Sequence, residues 1–255
     1  MKVFWFAVHL TVVVVLTALT QLGGLAWLGA LRFRQRLVAF VVIYTVIWGL
    51  AQGVAQGVAL WLGRVPIPCA GAVLREQSVL SCVLMRSVVV RDMEAVAQEA
   101  ARSVALSYPG TVTLALDGGF PFIAGFPLLP HLSHDDGEKL DFAFYYRDDG
   151  GHYLPGQTRS AIGYFAFETL QEPDLCPPNW LTLRWRLDGL QPPWQPWSLE
   201  EERTAALARA LLGDPRVGKV FVEPPLAKRL GLPSAKLRFQ GCRAARHDDH
   251  LHVQL

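Results

Sequence analysis

The amino-acid sequence predicts an α+β fold, in which a small and largely antiparallel sheet with flanking helices follows a hairpin of two transmembrane helices. Two long stretches near the start of the 255-residue chain, about 3–31 and 37–63, contain no Lys, Arg, Asp or Glu. After residue 90, segments that alternate apolar and polar residues mix with segments of helical periodicity, without strict alternation of strand and helix. That mixture favours an α+β domain over residues 91–255.

Each uncharged stretch exceeds the roughly 20 residues that a helix needs to cross a bilayer. The chain as a whole has a hydrophobic content of 51%, which is high for a soluble domain, and the excess is concentrated in these two stretches. A secretory signal peptide is the competing interpretation of the first stretch, but its apolar run is too long and no clear cleavage site follows it. We therefore expect residues 1–63 to form a hairpin that holds the chain in a membrane.

The turn of this hairpin, residues 32–36, carries three arginines, whereas the outer flanks carry only Lys2 and Arg64. By the positive-inside rule the turn lies in the cytoplasm, and both ends of the hairpin then lie outside. In a bacterium, this predicts a protein of the inner membrane with residues 64–255 in the periplasm.

Two features bear on partners. The second stretch carries Gly49, Gly53 and Gly57 at four-residue spacing, which lets helix backbones approach closely. We favour packing against the first span, and the alternative is a helix of another protein or of a second copy. The net charge of +2 includes no basic stretch suited to nucleic acid, so no nucleic-acid partner is expected.

The four cysteines, Cys69, Cys82, Cys176 and Cys242, include no pair with C-x-x-C spacing, so a cysteine-based zinc site is not expected. In the oxidising compartment that the topology predicts, they are candidates for disulfides. Sequence order suggests the pairs 69–82 and 176–242, although four cysteines allow three connectivities.

Residues 64–90 contain two prolines and two of the cysteines, and they predict a linker that leads into the first strand. Helices are expected over 92–107, 199–212 and 225–230. Asp92 is the expected N-cap of the first helix, and Ser198 with Glu201 forms a capping box for the second. Strands are expected over 87–90, 111–116, 140–146, 180–187, 217–222, 237–239 and 250–255.

Five of the seven histidines fall in or beside two clusters of potential metal ligands. The first cluster holds His134 and Asp141, and the second holds His247, His250 and His252. On a strand, side chains two residues apart share a face, so the last two histidines point into one pocket. One His and one Asp from the first cluster with one His from the second make three ligands and leave a fourth position free, which is the layout of a catalytic zinc. The competing interpretation is a solvated chain end with histidines placed by chance.

The arrangement S-H-x-x-G-x-x-x-D at 133–141, followed by H-x-x-H-x-H at 247–252, resembles the zinc peptidases grouped with lysostaphin, the D-alanyl-D-alanine metallopeptidases and the hedgehog signalling domain. It is most similar to the penicillin-insensitive murein endopeptidases, over roughly residues 110–255. The membrane hairpin has no part in the resemblance.

The resemblance implies one Zn²⁺ bound by His134, Asp141 and His252. It implies His250 as the general base, and His247 as a group that orients or polarises its neighbours. For a second metal, which the murein enzymes offer, the matching candidates are His131, Asp149 and His152.

The resemblance also implies the activity, which is hydrolysis of peptide bonds in peptidoglycan by an endopeptidase or a D,D-carboxypeptidase. No arginine occurs between Tyr108 and His134 to hold a terminal carboxylate, and this favours the endopeptidase. The alternative is a zinc-containing domain without turnover that binds the cell wall or takes part in signalling.

Overall fold

A computed structural model of the protein describes residues 2–129, 131–168 and 194–255, together with 176, 182, 184 and 191. For residues 55–62 the description covers the backbone only. Apart from residues 182 and 184, the strand predicted over 180–187 lies outside the described residues.

The N-terminal region contains three helices rather than two. They are α1 (Lys2–Thr20), α2 (Gly23–Ala30) and α3 (Arg36–Leu62). The first predicted span therefore breaks at Gln21, whose φ is +59°, and α2 folds back along α1. A Cβ atom added at Gly24 would lie 2.0 Å from the hydroxyl oxygen of Thr17, so only glycine permits this approach.

Two of these helices are long and apolar enough to cross a membrane, by length and composition, over Lys2–Thr20 and Arg36–Val54. The prediction of two such helices is confirmed to that extent. Between them, the Trp27 ring of α2 packs 6.0 Å from the ring of His9 and 5.7 Å from that of Phe40. Helix α2 is thus antiparallel to both neighbours, so α1 and α3 run in the same direction.

This second reversal of the chain corrects the expected position of the N-terminus. Lys2 and Arg36 line one surface cavity, and the Arg36 guanidinium lies 3.1 Å from Nε2 of His9. The N-terminus therefore shares one end of the helical region with the arginine-rich turn, instead of lying at the opposite end.

Gly49 and Gly53 of α3 do not pack against the first span as predicted. A Cβ atom added at Gly49 or Gly53 would meet nothing within 4 Å, and the surroundings of Gly57 lie outside the described residues. The close approach to α3 occurs instead at Gly29, where an added Cβ would lie 3.3 Å from Cδ1 of Ile43. A helix partner for the glycines of α3 stays a prediction.

The rest of the described chain forms a mixed α+β domain, which confirms the predicted class. Its strands are β1 (Arg64–Pro66), β2 (Leu74–Glu76), β3 (Val88–Val90), β4 (Thr113–Ala115), β5 (Lys139–Ala143), β6 (Tyr146–Arg147), β7 (Ser198–Leu199), β8 (Lys219–Phe221), β9 (Leu237–Arg238) and β10 (His250–Gln254). Its helices are α4 (Val79–Leu84), α5 (Arg91–Ser107), α6 (Glu201–Gly213) and α7 (Pro224–Arg229).

The main sheet has six strands in the order β2-β4-β5-β10-β8-β9. The inner pairs β4–β5, β5–β10 and β10–β8 are antiparallel, and the outer pairs β2–β4 and β8–β9 are parallel. Helices α5 and α6 share one hydrophobic core with this sheet. The predicted apolar face of α5 is confirmed, since the helix buries Met93, Val96, Ala97, Ala100, Ala101 and Val104.

Both predicted helix caps are wrong in detail. Helix α5 begins after Val90, and Asp92 lies in its first turn. There its negative charge interacts favourably with the helix dipole, but its side chain does not cap the helix. Ser198 pairs with Arg147 in the ribbon β6–β7, so it cannot cap α6. The side chain of Glu200 takes that role and accepts a hydrogen bond from the backbone N–H of Arg203 at 2.8 Å.

Residues 64–90 belong to the folded domain rather than to an extended linker. They carry β1, β2, α4 and β3, and β2 forms an edge of the main sheet. Both predicted disulfides are present. Cys69–Cys82 links the chain between β1 and β2 to α4, and Cys176–Cys242 closes a loop with a sequence separation of 66.

Glu76, at the end of β2, is a buried carboxyl group that makes stability depend on pH. Burial, opposed by a hydrogen bond with Ser87 and reinforced by the charge of Asp117, raises the pKa of Glu76 from 4.5 to about 8. The unfolded chain ionises this group above pH 4.5, whereas the folded protein keeps the proton up to about pH 8. This contribution to stability is therefore complete below pH 4.5 and is lost as the pH rises to about 8.

We predict that Glu76→Gln will reduce the loss of stability between pH 5 and 8, by up to about 1.4 kcal/mol for each pH unit. Denaturant unfolding of the full chain in detergent at a series of pH values measures this. Glu138→Gln, at an exposed position, is the matched control and is expected to keep the wild-type slope. Equal slopes for wild type and Glu76→Gln would contradict the prediction.

Candidate metal centre

The two central strands of the main sheet bring the two predicted ligand clusters together. In the antiparallel pair β5–β10, His252 lies directly opposite Asp141, and His250 lies opposite Ala143. The Nδ1 atom of His252 is 2.8 Å from Oδ1 of Asp141. The amide group of Gln254 lies 2.9 Å from the other ring nitrogen, so the imidazole of His252 is held on both sides.

His134 completes the group from the loop between β4 and β5. Its Nδ1–H donates to the backbone carbonyl of Gly118 at 2.9 Å, which leaves Nε2 as a lone-pair donor to a metal. That Nε2 atom lies 3.0 Å from Nδ1 of His252 and 3.4 Å from Oδ1 of Asp141. Gly137, within the same motif, has a φ of +82°, which explains the need for glycine at the turn that follows His134.

The three donor atoms match the geometry of a small metal ion. With metal–ligand bonds of about 2.0–2.1 Å, a tetrahedral ion requires ligand atoms roughly 3.3 Å apart. The separations of 2.8, 3.0 and 3.4 Å are close to that value. The predicted ligands His134, Asp141 and His252 are thus assembled and buried, and they can bind a metal ion.

His250 lies beside this group and is paired with a carboxylate. Its Nδ1 is 2.6 Å from Oδ1 of Asp249, and its Nε2 faces Oδ2 of Asp141 at 3.7 Å. Burial alone would lower the pKa of His250, but the charges of Asp249 and Asp141 outweigh it and raise the pKa to about 9. A cation bound by Asp141 would oppose this rise, because it offsets the charge of that carboxylate.

Asp249 is itself held in place by the backbone of Phe165, whose N–H donates to Oδ2 at 2.6 Å. Phe165 has a φ of +65°, a backbone conformation that residues other than glycine rarely adopt. The indole N–H of Trp194 donates to the Phe165 carbonyl at 3.0 Å, which helps to keep this turn in place. The carboxylate that pairs with His250 therefore belongs to the preceding residue in the chain.

His247 lies next to the group but bonds to none of its members. Its ring centroid is 5.0 Å from that of His250 and 5.4 Å from that of His252. Burial and the neighbouring histidines hold the pKa of His247 well below its usual range. Its Nδ1 atom is buried with no hydrogen-bond partner in the described structure. The supporting role that the resemblance implies for His247 stays a prediction.

Three residues that we did not predict extend the centre. Arg86 makes two hydrogen bonds of 2.8 Å to Asp117, and Nδ1 of His131 lies 3.0 Å from the same carboxylate. Burial favours the neutral acid, but the hydrogen bonds from His131 and Arg86 prevail and lower the pKa of Asp117 to about 2. The hydroxyl of Tyr164 donates to Oδ2 of Asp141 at 2.8 Å. Of these three residues, only Asp117 had a sequence signal, since it directly follows the strand predicted over 111–116.

The predicted second metal site is not assembled among the described residues. His131 belongs to the first centre, since its Nδ1 is 3.5 Å from Oδ2 of Asp141. The side chain of His152 is 83% exposed and contacts Asp148 at 3.3 Å, and Asp149 is exposed. The physical reason is local: hydrogen bonds between residues 148 and 152 close a surface turn that keeps this histidine in solvent.

Comparisons with known proteins add no support for a family. No protein-family model and no curated protein matches the chain. The resemblance in the two motifs therefore stays a prediction, and the functional argument depends on the geometry of the centre.

We predict that Asp141→Asn and His252→Ala will each weaken zinc binding by more than about 100-fold, because even groups outside the ligand set contribute 10- to 100-fold. His152→Ala is the matched control and should bind zinc like the wild type, since it lies apart from the centre. Calorimetric titration of the full chain in detergent, with elemental analysis, gives affinity and stoichiometry. Loss of zinc in His152→Ala would revive the second site.

Proposed function

We propose that the protein is a membrane-anchored zinc metallopeptidase that hydrolyses peptide bonds in peptidoglycan. The observation that carries this proposal is the convergence of His134 Nε2, Asp141 Oδ1 and His252 Nδ1, with the paired His250 and Asp249 beside them. A site that served structure alone would need a fourth protein ligand, whereas three ligands and an adjacent base suit hydrolysis.

A zinc ion held by His134, Asp141 and His252 would polarise a carbonyl group as a Lewis acid and would make water more acidic. The chain supplies the proton transfer. Nε2 of His250 faces the ligand carboxylate at 3.7 Å and is placed to take a proton from the attacking water and to deliver it to the leaving amine. Asp249 fixes the ring of His250 by its bond to Nδ1 and stabilises the protonated form.

The remaining polar groups fix the ligand carboxylate and its surroundings. Tyr164 donates to Oδ2 of Asp141, which keeps Oδ1 directed at the two histidine nitrogens. The ion pair of Arg86 and Asp117 holds His131 at the edge of the centre. Because these groups are buried, they need little reorganisation during the reaction.

The placement of charge supports a position outside the cytoplasmic membrane. Lys2 and the three arginines of residues 32–36 lie at one end of the helical region. The domain contacts the other end, where the side-chain oxygen of Gln21 accepts a hydrogen bond from the N–H of Phe122 at 3.3 Å. By the positive-inside rule, the basic end faces the cytoplasm. The two disulfides support an oxidising compartment for the domain.

The substrate class follows from the resemblance of the two motifs to murein endopeptidases, together with this location. Peptidoglycan lies outside the cytoplasmic membrane, within reach of a domain that is anchored in that membrane. The alternative, a zinc-containing binding domain without turnover, makes the same use of His134, Asp141 and His252 but has no need of a base.

We predict that His250→Ala and Asp249→Asn will lower hydrolysis of purified sacculi by about 10²- to 10⁴-fold, the usual contribution of a general base, while one zinc stays bound. The full chain in detergent is incubated with sacculi, and released muropeptides are counted. His152→Ala serves as a control and should retain activity. No release by the zinc-loaded wild type would favour the binding domain, and loss of zinc in His250→Ala would make that residue a ligand.

A further inference from the structure

A pocket of about 170 Å³ opens on the surface of the domain beside the metal centre. Its polar floor includes Asp117 and His131, and the latter lies 3.5 Å from the ligand Asp141. The apolar residues of its walls are Leu80, Leu84, Leu116, Ile162, Tyr164 and Phe165. The pocket lies between α4 and the loop that contains residue 162, and its lining residues His131 and Tyr164 contact the ligand Asp141.

Helix α4, which forms one wall of the pocket, is bonded to the apolar helix α3. The hydroxyl of Tyr44 donates to the carbonyl of Val83 at 3.1 Å, and the indole N–H of Trp48 donates to the carbonyl of Cys82 at 3.4 Å. The disulfide from Cys69 to Cys82 fixes the same helix to the domain. The wall of the pocket and the membrane helix are thus one connected unit.

The height of these contacts places α4 at the boundary of a bilayer. Helix α1 has 19 residues and is about 28 Å long, close to the 30 Å of a hydrocarbon core. Arg36 begins α3 beside His9, so Trp48 lies about 28 Å above Lys2, level with the far end of α1. Tyr44 and Trp48 are also the residue types that gather at the interface of membrane and water.

Exposed aliphatic side chains lie on the elements that border the pocket and the end of α1. On α4, Val79 and Leu80 are 79% and 59% exposed, and Ile162 across the mouth is 49% exposed. The loops that follow Phe120 and His131 add Ile123, Leu129 and Leu132, which are 54%, 43% and 55% exposed. We call these six residues the apolar rim. Apolar groups clustered in this way mark a contact surface.

We propose that the apolar rim is inserted into the outer interface of the bilayer that α1 and α3 cross, so that the pocket opens at the lipid surface and the centre receives substrates held at the membrane. The occupant of the rim is lipid, because the rim is continuous with the helices that enter the bilayer. This inference rests on the membrane anchoring in the proposed function and goes beyond it, since it concerns the route to the site.

The test measures lipid contact and does not depend on hydrolysis or on zinc. A small fluorescent amino acid replaces Leu80 or Ile162 in the full chain, which is reconstituted in vesicles of phosphatidylethanolamine and phosphatidylglycerol with or without brominated acyl chains. Leu106 is the matched control, because it is 84% exposed and lies near the C-terminal end of α5. After that end the chain returns to the main sheet as β4. Val79 replaces Leu80 if labelling at position 80 impairs folding.

Brominated lipid is expected to quench the probes at 80 and 162 by about two-fold or more, since insertion of an apolar face to about 5–10 Å brings it to the acyl chains. The probe at 106 should show no quenching. Absence of quenching at position 80, or at 79 in its place, would overturn the proposal and would favour a protein partner for the rim. Quenching on α4 without quenching at 162 would overturn the claim that the mouth faces lipid. Neither negative result bears on hydrolysis by the wild type, so failure of this proposal is distinguishable from failure of the proposed function.

Discussion

The centre depends on one buried charge, the carboxylate of Asp141. Burial favours the neutral acid, but the neighbouring His134, His250 and His252 hold the pKa of Asp141 well below its usual range. A buried carboxylate is costly unless it is paired and hydrogen-bonded, so the fold surrounds it with donors. The antiparallel register of β5 and β10 sets His252 directly opposite it, and Tyr164 donates to its second oxygen. The lone pairs of the carboxylate and of the neighbouring imidazole nitrogens make the same group suitable for a cation.

The spacing of histidines predicts which side chains come together at the candidate metal centre, because strand alternation is a local rule. His250 and His252 share a face on β10 as expected, and they meet the first cluster across the sheet. The partners that tune the site are long-range: Arg86 reaches Asp117 across 31 residues, and Asp249 is fixed by a backbone group 84 residues away. Such contacts arise from the tertiary fold and leave no periodic signal in the sequence.

The helical region shows a different limit of sequence analysis. Hydropathy measures whether a segment prefers lipid, and the stretch 3–31 is apolar from end to end, so it predicts one span. The reversal at Gln21 leaves that average unchanged. Its signal was the pair Gly23 and Gly24, which permits close contact between α1 and α2, although the same residues also suit packing against α3. The predicted position of the N-terminus depends on the number of reversals. With a single span it lies opposite the arginine-rich turn, whereas the reversal at Gln21 brings it to the same end.

Arg64 joins the end of α3 to the loop that carries His134. Arg64 follows α3 after one glycine, and its guanidinium donates to the carbonyls of Phe120 and Asp136 at 2.7 Å each. These carbonyls flank the loop that delivers His134 to the centre. The neighbouring strand β3 supports the loop further, because Val90 donates to the carbonyl of Gly137 at 2.9 Å. The end of the apolar helix therefore takes part in shaping the metal-binding loop. In the proposed arrangement α3 crosses the bilayer, and a domain held in this way has its pocket oriented with respect to the membrane, as a short and flexible tether would not achieve.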